Sequence, residues 1–234
     1  MIVQTTAKSW PIVNPLAAVA ELRNEYFGMR HPRAAVNDQH ILCSSTESGF
    51  CTGLTAEGRR QASSCALPGL TAAPSQKELV ILHSPLPRAA EPALILKERF
   101  SGLRKVVCRA VPELADRGWG EHEGRPETEW NLIRQHDQDN PCSRNGRVEP
   151  MQQFIERVGA TLLGIDANLT NSIVYLVTHA DYLQVLEHLF SRRTSLQHYS
   201  LDVRMFAYAE IRPLRLADRE PLKQFRGPSH ISTD

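Results

Sequence analysis

The chain has 234 residues, 41% hydrophobic and 23% charged, with a formal net charge of +1. That length supports one sizeable core, and the balance is ordinary for a globular protein. Near-neutrality argues against an obligate nucleic-acid or anionic-membrane partner, and no apolar run reaches the length of a membrane span. The N-terminus carries one lysine, two prolines (Pro11 and Pro15) and only a short apolar patch, a poor signal peptide. The five cysteines, Cys43, Cys51, Cys65, Cys108 and Cys142, show no zinc or redox spacing. Reduced thiols and a cytoplasmic location are the expectation.

In chain order, residues 1–22 read as an N-terminal arm, with one or two helical turns from Leu16 to Leu22. A first strand is expected from Asn24 to Met29, followed by a Ser/Thr/Gly-rich loop from Asn37 to Gly53. Thr55 is a natural N-cap for a helix to Ala66, with Gly58 a weak point inside it. The apolar run Leu79–Leu82 suits a buried strand, and Pro87 opens the next helix. A third strand is expected from Lys105 to Val111. A polar excursion from Asp116 to Glu149 carries a short helix around Trp130. Phe154, Ile155, Val158 and Leu162 recur at helical spacing between Met151 and Ala167. Then come a strand from Ser172 to Thr178, a helix from Asp181 to Phe190 and a last strand from Arg204 to Ile211. Alternating strands and helices imply an α/β three-layer sandwich with a mostly parallel central sheet flanked by helices. A single domain is expected over 23–213, with a loosely held tail over 214–234.

Two apolar stretches end in histidine: Tyr26–Met29 runs into Arg30 and His31, and Val174–Thr178 into His179. Ligands of open α/β sheets bind beyond the carboxyl ends of the strands. One histidine there can attack phosphorus, while a second hydrogen-bonds the phosphoryl oxygens.

Five segments then carry a resemblance. Arg30-His31-Pro32-Arg33-Ala34-Ala35-Val36-Asn37 is similar to R-H-G-x-x-x-x-N. Gly53 to Ala62 resembles x-L-T-x-x-G-x-x-Q-A. Ser84-Pro85-Leu86-Pro87-Arg88-Ala89 resembles S-P-L-x-R-A. Leu114 to Gly120 resembles L-x-E-R-x-F-G, and Val177-Thr178-His179-Ala180 resembles V-S-H-G. In this order they resemble the histidine phosphatase superfamily, which includes phosphoglycerate mutases and many phosphatases. The resemblance implies a phosphoglycerate mutase-like fold, with His31 as the nucleophile that becomes a phosphohistidine. It also implies phosphate binding by Arg30, Arg88, Asn37, His179 and Ala180. Arginine suits this role because its planar guanidinium stays charged and grips two oxygens at once. No cofactor and no metal are expected, since arginines and histidines supply the positive charge.

The chain departs from the pattern in four places. Asp116 stands where the family's glutamate, the general acid, is found, and its reach is shorter by about 1.5 Å. Asp181 is the rival acid; Glu121 and Glu123 are weaker candidates. Pro32 replaces a glycine, removing a backbone donor. Arg33 adds a charge for substrate or solvent, and Ala180-Asp181 replaces a small pair, placing a carboxylate near the phosphate. The expected function is a phosphatase acting on a small phosphomonoester. The alternatives are a mutase-like phosphotransferase and a non-catalytic phosphate-ligand-binding protein. The substrate's leaving group would be read by the excursion and by the loop over 38–53, where Trp119, Trp130, Arg125 and Arg134 are candidates for the mouth. Oligomeric state is not legible.

Overall fold

A computed structural model describes residues 10–70, 77–102, 105–196 and 204–218. In chain order the elements are β1 (Trp10–Pro11), β2 (Glu25–Arg30), α1 (Ala35–Asp38), α2 (Ala56–Ser64), β3 (Glu78–His83) and α3 (Pro87–Ser101). There follow β4 (Val106–Ala110), α4 (Trp130–Asp139), α5 (Met151–Asn168), β5 (Ser172–Thr178), α6 (Ala180–Phe190), β6 (Ser195–Leu196) and β7 (Ile211–Leu214). Short 3-10 turns lie at Gly120–His122 and Glu127–Glu129 inside the excursion.

The central sheet has the order β4-β3-β5-β2-β7, parallel throughout except for β7. Its period-two alternation makes two cores. Val80, Leu82, Val174 and Leu176 face Phe154, Val158, Leu183 and Leu186 of α5 and α6. Leu79, Ile81, Ile173, Tyr175 and Val177 face Ala89, Ala93 and Leu96 of α3. Side chains of successive strand residues point to opposite faces, so a strand covered on both sides must be apolar throughout. Strand β5, wholly buried, meets that demand.

Three expectations need correction. The last strand is Ile211–Leu214 rather than Arg204–Ile211, because a turn at Ala207–Glu210, with Ala209 at φ 60°, interrupts the apolar pattern. It lies at the sheet edge, where Pro213 is tolerated. Leu16–Leu22 forms no helix; Asn14 Oδ1 accepts the Leu16 N–H and stabilises a turn. Strands β1 and β6, which pair antiparallel, were not anticipated. Ile12 and Leu16 are buried in the first core, as is Leu214 at the other end. Residues 1–9 and 219–234 lie outside the described residues, as does most of the expected tail. Among the described residues no helix is long and apolar enough to cross a membrane.

Gly58 is a packing requirement. Helix α2 is capped by Thr55 Oγ1, which accepts the Gly58 N–H at 3.0 Å. The Thr55 N–H in turn donates to the Arg33 carbonyl, and a Cβ on Gly58 would collide with that same carbonyl oxygen. Gly58→Ala is expected to cost about 1–3 kcal/mol by overpacking, despite alanine's better helix propensity. Denaturant unfolding checks this; an unchanged or raised stability would contradict the contact.

Candidate active site

Parallel pairing sets the site. Arg30 is level with Thr178, and His83 with Val177, so β2, β5 and β3 end on one rim. The chain leaves that rim as His31, His179 and Ser84. Their entries are fixed by His31 N–H to Thr178 O (2.9 Å) and Ser84 N–H to Val177 O (3.0 Å). A cavity of about 400 Å³ opens there, lined by Arg30, His31, Asn37, Arg88, Asp116, Ala180 and Asp181. Seven of the expected site residues therefore line one cavity, and His179 stands beside it, 3.6 Å from Asp116 Oδ2.

His31 is 3% exposed. Its Nδ1 lies 2.8 Å from the Pro32 carbonyl oxygen, an acceptor only, so Nδ1 carries the proton and Nε2 the lone pair. The family's glycine position is thus used here through its carbonyl, which proline keeps. Burial and the charges of Arg88 and Arg30 hold the imidazole well below its ordinary pKa of 6.5, against a smaller opposing effect of the Pro32 bond. His31 is neutral at pH 7.

Arg88 enters at the first turn of α3, after Pro87 at its start. It is 3% exposed and its Nε donates to His31 Nε2 at 3.2 Å. Its Nη2 donates to Cys43 O (2.7 Å) and to Asp116 Oδ2 (3.3 Å). Arg30 is clamped by Nη1 donating to Phe206 O (2.7 Å) and lies 4.2 Å over the Tyr208 ring. Its Nε is buried and has no hydrogen-bond partner among the described residues.

His179 is the N-cap of α6 and is 1% exposed. Its ring stands 5.3 Å from that of His31, centroid to centroid. Nε2 lies 2.8 Å from Ser84 Oγ. Nδ1, buried and without a hydrogen-bond partner among the described residues, is 3.6 Å from Asp116 Oδ2. Burial, then Arg88, His31 and Arg30, depress its pKa well below 6.5. Ala180 follows as the first residue of α6, an 11-residue helix whose N-terminus opens on the cavity. The Asn37 Oδ1 accepts the Ala34 N–H at 3.0 Å, and the residue lines the cavity.

Asp116 reaches the centre despite its short side chain. Arg157 fixes its backbone: Nη1 donates to the carbonyls of Glu113 (2.7 Å) and Ala115 (3.0 Å), and Nη2 to that of Asp116 (3.1 Å). Glu149 holds Arg157 in turn. The Asp116 Oδ1 accepts the Arg117 N–H (3.0 Å), leaving Oδ2 facing Arg88 and His179. Burial and then the Asp181 charge push its pKa up to about 7, and outweigh the opposing pull of Arg88. Asp181 is also raised by burial, against the pull of Arg117 and Arg30 and a hydrogen bond from Trp130. Arg117, Arg30 and Trp130 thus offset part of the Asp181 charge at the cavity.

Other candidates fall outside the cavity. Arg33 pairs with Asp38 at the surface (2.6 Å). Glu121 accepts the Arg147 N–H, and Glu123 accepts the Ser44 N–H and hydroxyl. Trp119 and Trp130 line the mouth, whereas Arg125 and Arg134 do not, Arg134 lying 5.1 Å from the Trp130 ring. Sequence reasoning gave no role to Ser84, Arg157, Tyr208 or the Cys43 carbonyl. Only Ser84 carried a signal, as the first residue of its motif; the others act through backbone or ring contacts that no spacing marks.

No curated protein matches the chain. Solved structures do, at low identity. YhfR of Bacillus stearothermophilus matches with a TM-score of 0.62 and 19% identity, over 80% of this chain and 89% of that one. A mycobacterial glucosyl-3-phosphoglycerate phosphatase gives 0.60 and 19%, over 80% and 87%. A putative alpha-ribazole-5'-P phosphatase of Escherichia coli gives 0.58 and 19%, over 80% and 88%. These similarities establish the fold. The sequence profile of one family covers residues 27–222, and with it the five motifs and the rim they build: the chain belongs to the histidine phosphatase superfamily, branch 1.

Proposed function

We propose that this protein is a phosphatase that hydrolyses a small phosphomonoester through a phosphohistidine on His31. The observation that carries the reading is a pair of buried nitrogens without a hydrogen-bond partner among the described residues: Arg30 Nε, on a residue that lines the cavity with His31, and His179 Nδ1, 3.6 Å from the cavity-lining Asp116. A buried donor without an acceptor costs roughly 1–3 kcal/mol. Phosphoryl oxygens would satisfy both.

In this reading the Ser84 hydroxyl donates to His179 Nε2, so the His179 proton sits on Nδ1 and points into the site. Arg88 transfers its Nε hydrogen bond from His31 to an equatorial oxygen as Nε2 attacks phosphorus. The guanidinium groups and the Asn37 amide stabilise charge on the equatorial oxygens, which is most of what phosphoryl transfer requires of a protein. Asp116 Oδ2, protonated, gives its proton to the leaving oxygen. As a carboxylate it then takes a proton from the water that attacks the phosphohistidine. Asp181 acts on Asp116 through its charge.

Among the described residues, the arginines that line the cavity are Arg30 and Arg88, enough for one phosphate dianion. That supports a monoester hydrolase over a mutase handling bisphosphates. Val36, Ile41, Leu42, Trp119, Trp130 and Met205 offer the leaving group an apolar wall.

The test is turnover of p-nitrophenyl phosphate with and without vanadate. Hydrolysis inhibited competitively by vanadate, and unaffected by chelator, is expected. Phosphate binding without turnover of any aryl or alkyl phosphate would instead favour a non-catalytic binding protein. Transfer to an added alcohol acceptor in preference to water would favour a phosphotransferase.

A further inference from the structure

Cys43 and Cys51, eight residues apart and unremarkable in the sequence, meet against the phosphate-binding arginine. The Nη1 of Arg88 lies 3.9 Å from Cys43 Sγ and 3.8 Å from Cys51 Sγ. Both sulfurs thus stand against one guanidinium nitrogen. Both are free, and Cys43 lines the cavity while Cys51 is half-buried. The segment between them turns back through a 3-10 turn at Thr46–Ser48 and a left-handed Gly49 (φ 74°), which brings its ends together. Cys65, Cys108 and Cys142 are absent from the cavity lining.

We infer that Cys43 and Cys51 are a redox pair that closes to a disulfide under hydroperoxide and thereby tightens phosphate binding at Arg88. Cys43 is the attacking sulfur. The neighbouring Cys51, then Arg88 and Ser48, lower its pKa to about 6 against the effect of burial, while that of Cys51 is pushed up. A thiolate beside a guanidinium is the reactive form of cysteine. Cys43 thiolate attacks the peroxide O–O bond, giving a sulfenic acid and hydroxide, which takes up the proton Cys43 had released. Cys51 sulfur then attacks the sulfenic sulfur, its proton leaves with the hydroxyl as water, and the S–S bond forms. Two thiols and one hydrogen peroxide give one disulfide and two waters; the sulfurs lose two electrons and the peroxide gains them.

The sign of the effect follows from charge. In the reduced protein the Cys43 thiolate competes with phosphate for Arg88. A disulfide is neutral and a weak acceptor, so the guanidinium charge is released to the cavity. The effect on phosphate rests on the phosphate-site reading above; formation of the disulfide does not.

The experiment treats the purified chain with hydrogen peroxide and then dithiothreitol. The proteolytic peptide between Arg33 and Arg59 contains both cysteines and should become lighter by two hydrogen atoms, reversibly. The dissociation constant for inorganic phosphate, measured by calorimetry, should fall at least threefold on oxidation and return on reduction. Cys51→Ser should lose both responses when compared with itself before and after peroxide, while exposed Cys142→Ser should keep them. Direct over-oxidation of Cys43 without a disulfide would overturn the pairing. A disulfide that leaves phosphate affinity unchanged, or weakens it, would overturn the coupling to Arg88. Neither readout needs turnover, so an inactive wild type would sink the phosphatase reading and leave this one to be judged separately.

Discussion

His31→Ala is expected to lower kcat/KM for p-nitrophenyl phosphate by at least about 1,000-fold, the scale on which losing a catalytic nucleophile shows. An aryl phosphate is the sharp substrate because its leaving group needs little help, so the loss reports attack on phosphorus alone. The geometry makes the claim specific. Pro32 offers only a carbonyl to Nδ1, which directs the His31 lone pair to Nε2, and Arg88 stands 3.2 Å from that atom. Wild-type protein quenched during turnover should carry an acid-labile, base-stable phosphate on residue 31, and His31→Ala should carry none. Label retained in His31→Ala, or hydrolysis near the wild-type rate, would refute the nucleophile assignment.

Asp116→Asn should cost about 100-fold or more on an alkyl phosphate and far less on an aryl one, as expected for a general acid. The pH dependence supplies a second signature. Asp116 works protonated and its pKa is raised to about 7, so alkyl-ester kcat/KM should fall as pH rises through 7. His31 works neutral and its pKa is depressed, so protonation removes activity only well below pH 6.5. The alkyl profile should therefore be highest on the acidic side of neutrality. Asp116→Asn should abolish the descending limb, and the aryl profile should show it weakly. Asp181→Asn distinguishes the rival acid. With its charge gone, the Asp116 pKa falls and the limb moves to lower pH, whereas a true acid at 181 would reproduce the Asp116→Asn pattern. Equal losses on both substrates in Asp116→Asn would remove Asp116 from the acid role.

The strands and helices that build the rim were readable because each is dictated locally. Ile173–Val177, the middle of strand β5, is apolar throughout, and a strand covered on both faces must be. Thr55 and Pro87 mark helix starts by satisfying or lacking an N–H. The turn at Ala207–Glu210 was not readable, because an apolar run such as Met205–Ala209 fits a strand equally well until Arg30 and Arg212 claim its carbonyls. The same holds for Leu16, whose burial depends on helices far along the chain.

The sequence by itself determined which chemical groups are present and which strand ends carry them: two histidines, two arginines and a carboxylate one methylene short. Only the tertiary structure decided what those groups can do. Arg157 holds the Asp116 backbone by three carbonyls, and Asp116 Oδ2 stands 3.3 Å from Arg88 Nη2 although its side chain is one methylene short. Pro32 keeps the carbonyl that His31 Nδ1 uses. Cys43 and Cys51, ordinary thiols in the sequence, become a pair only where both meet Arg88. Proton affinity and reactivity are set by burial and neighbouring charge, and these are properties of the folded rim that no residue carries alone.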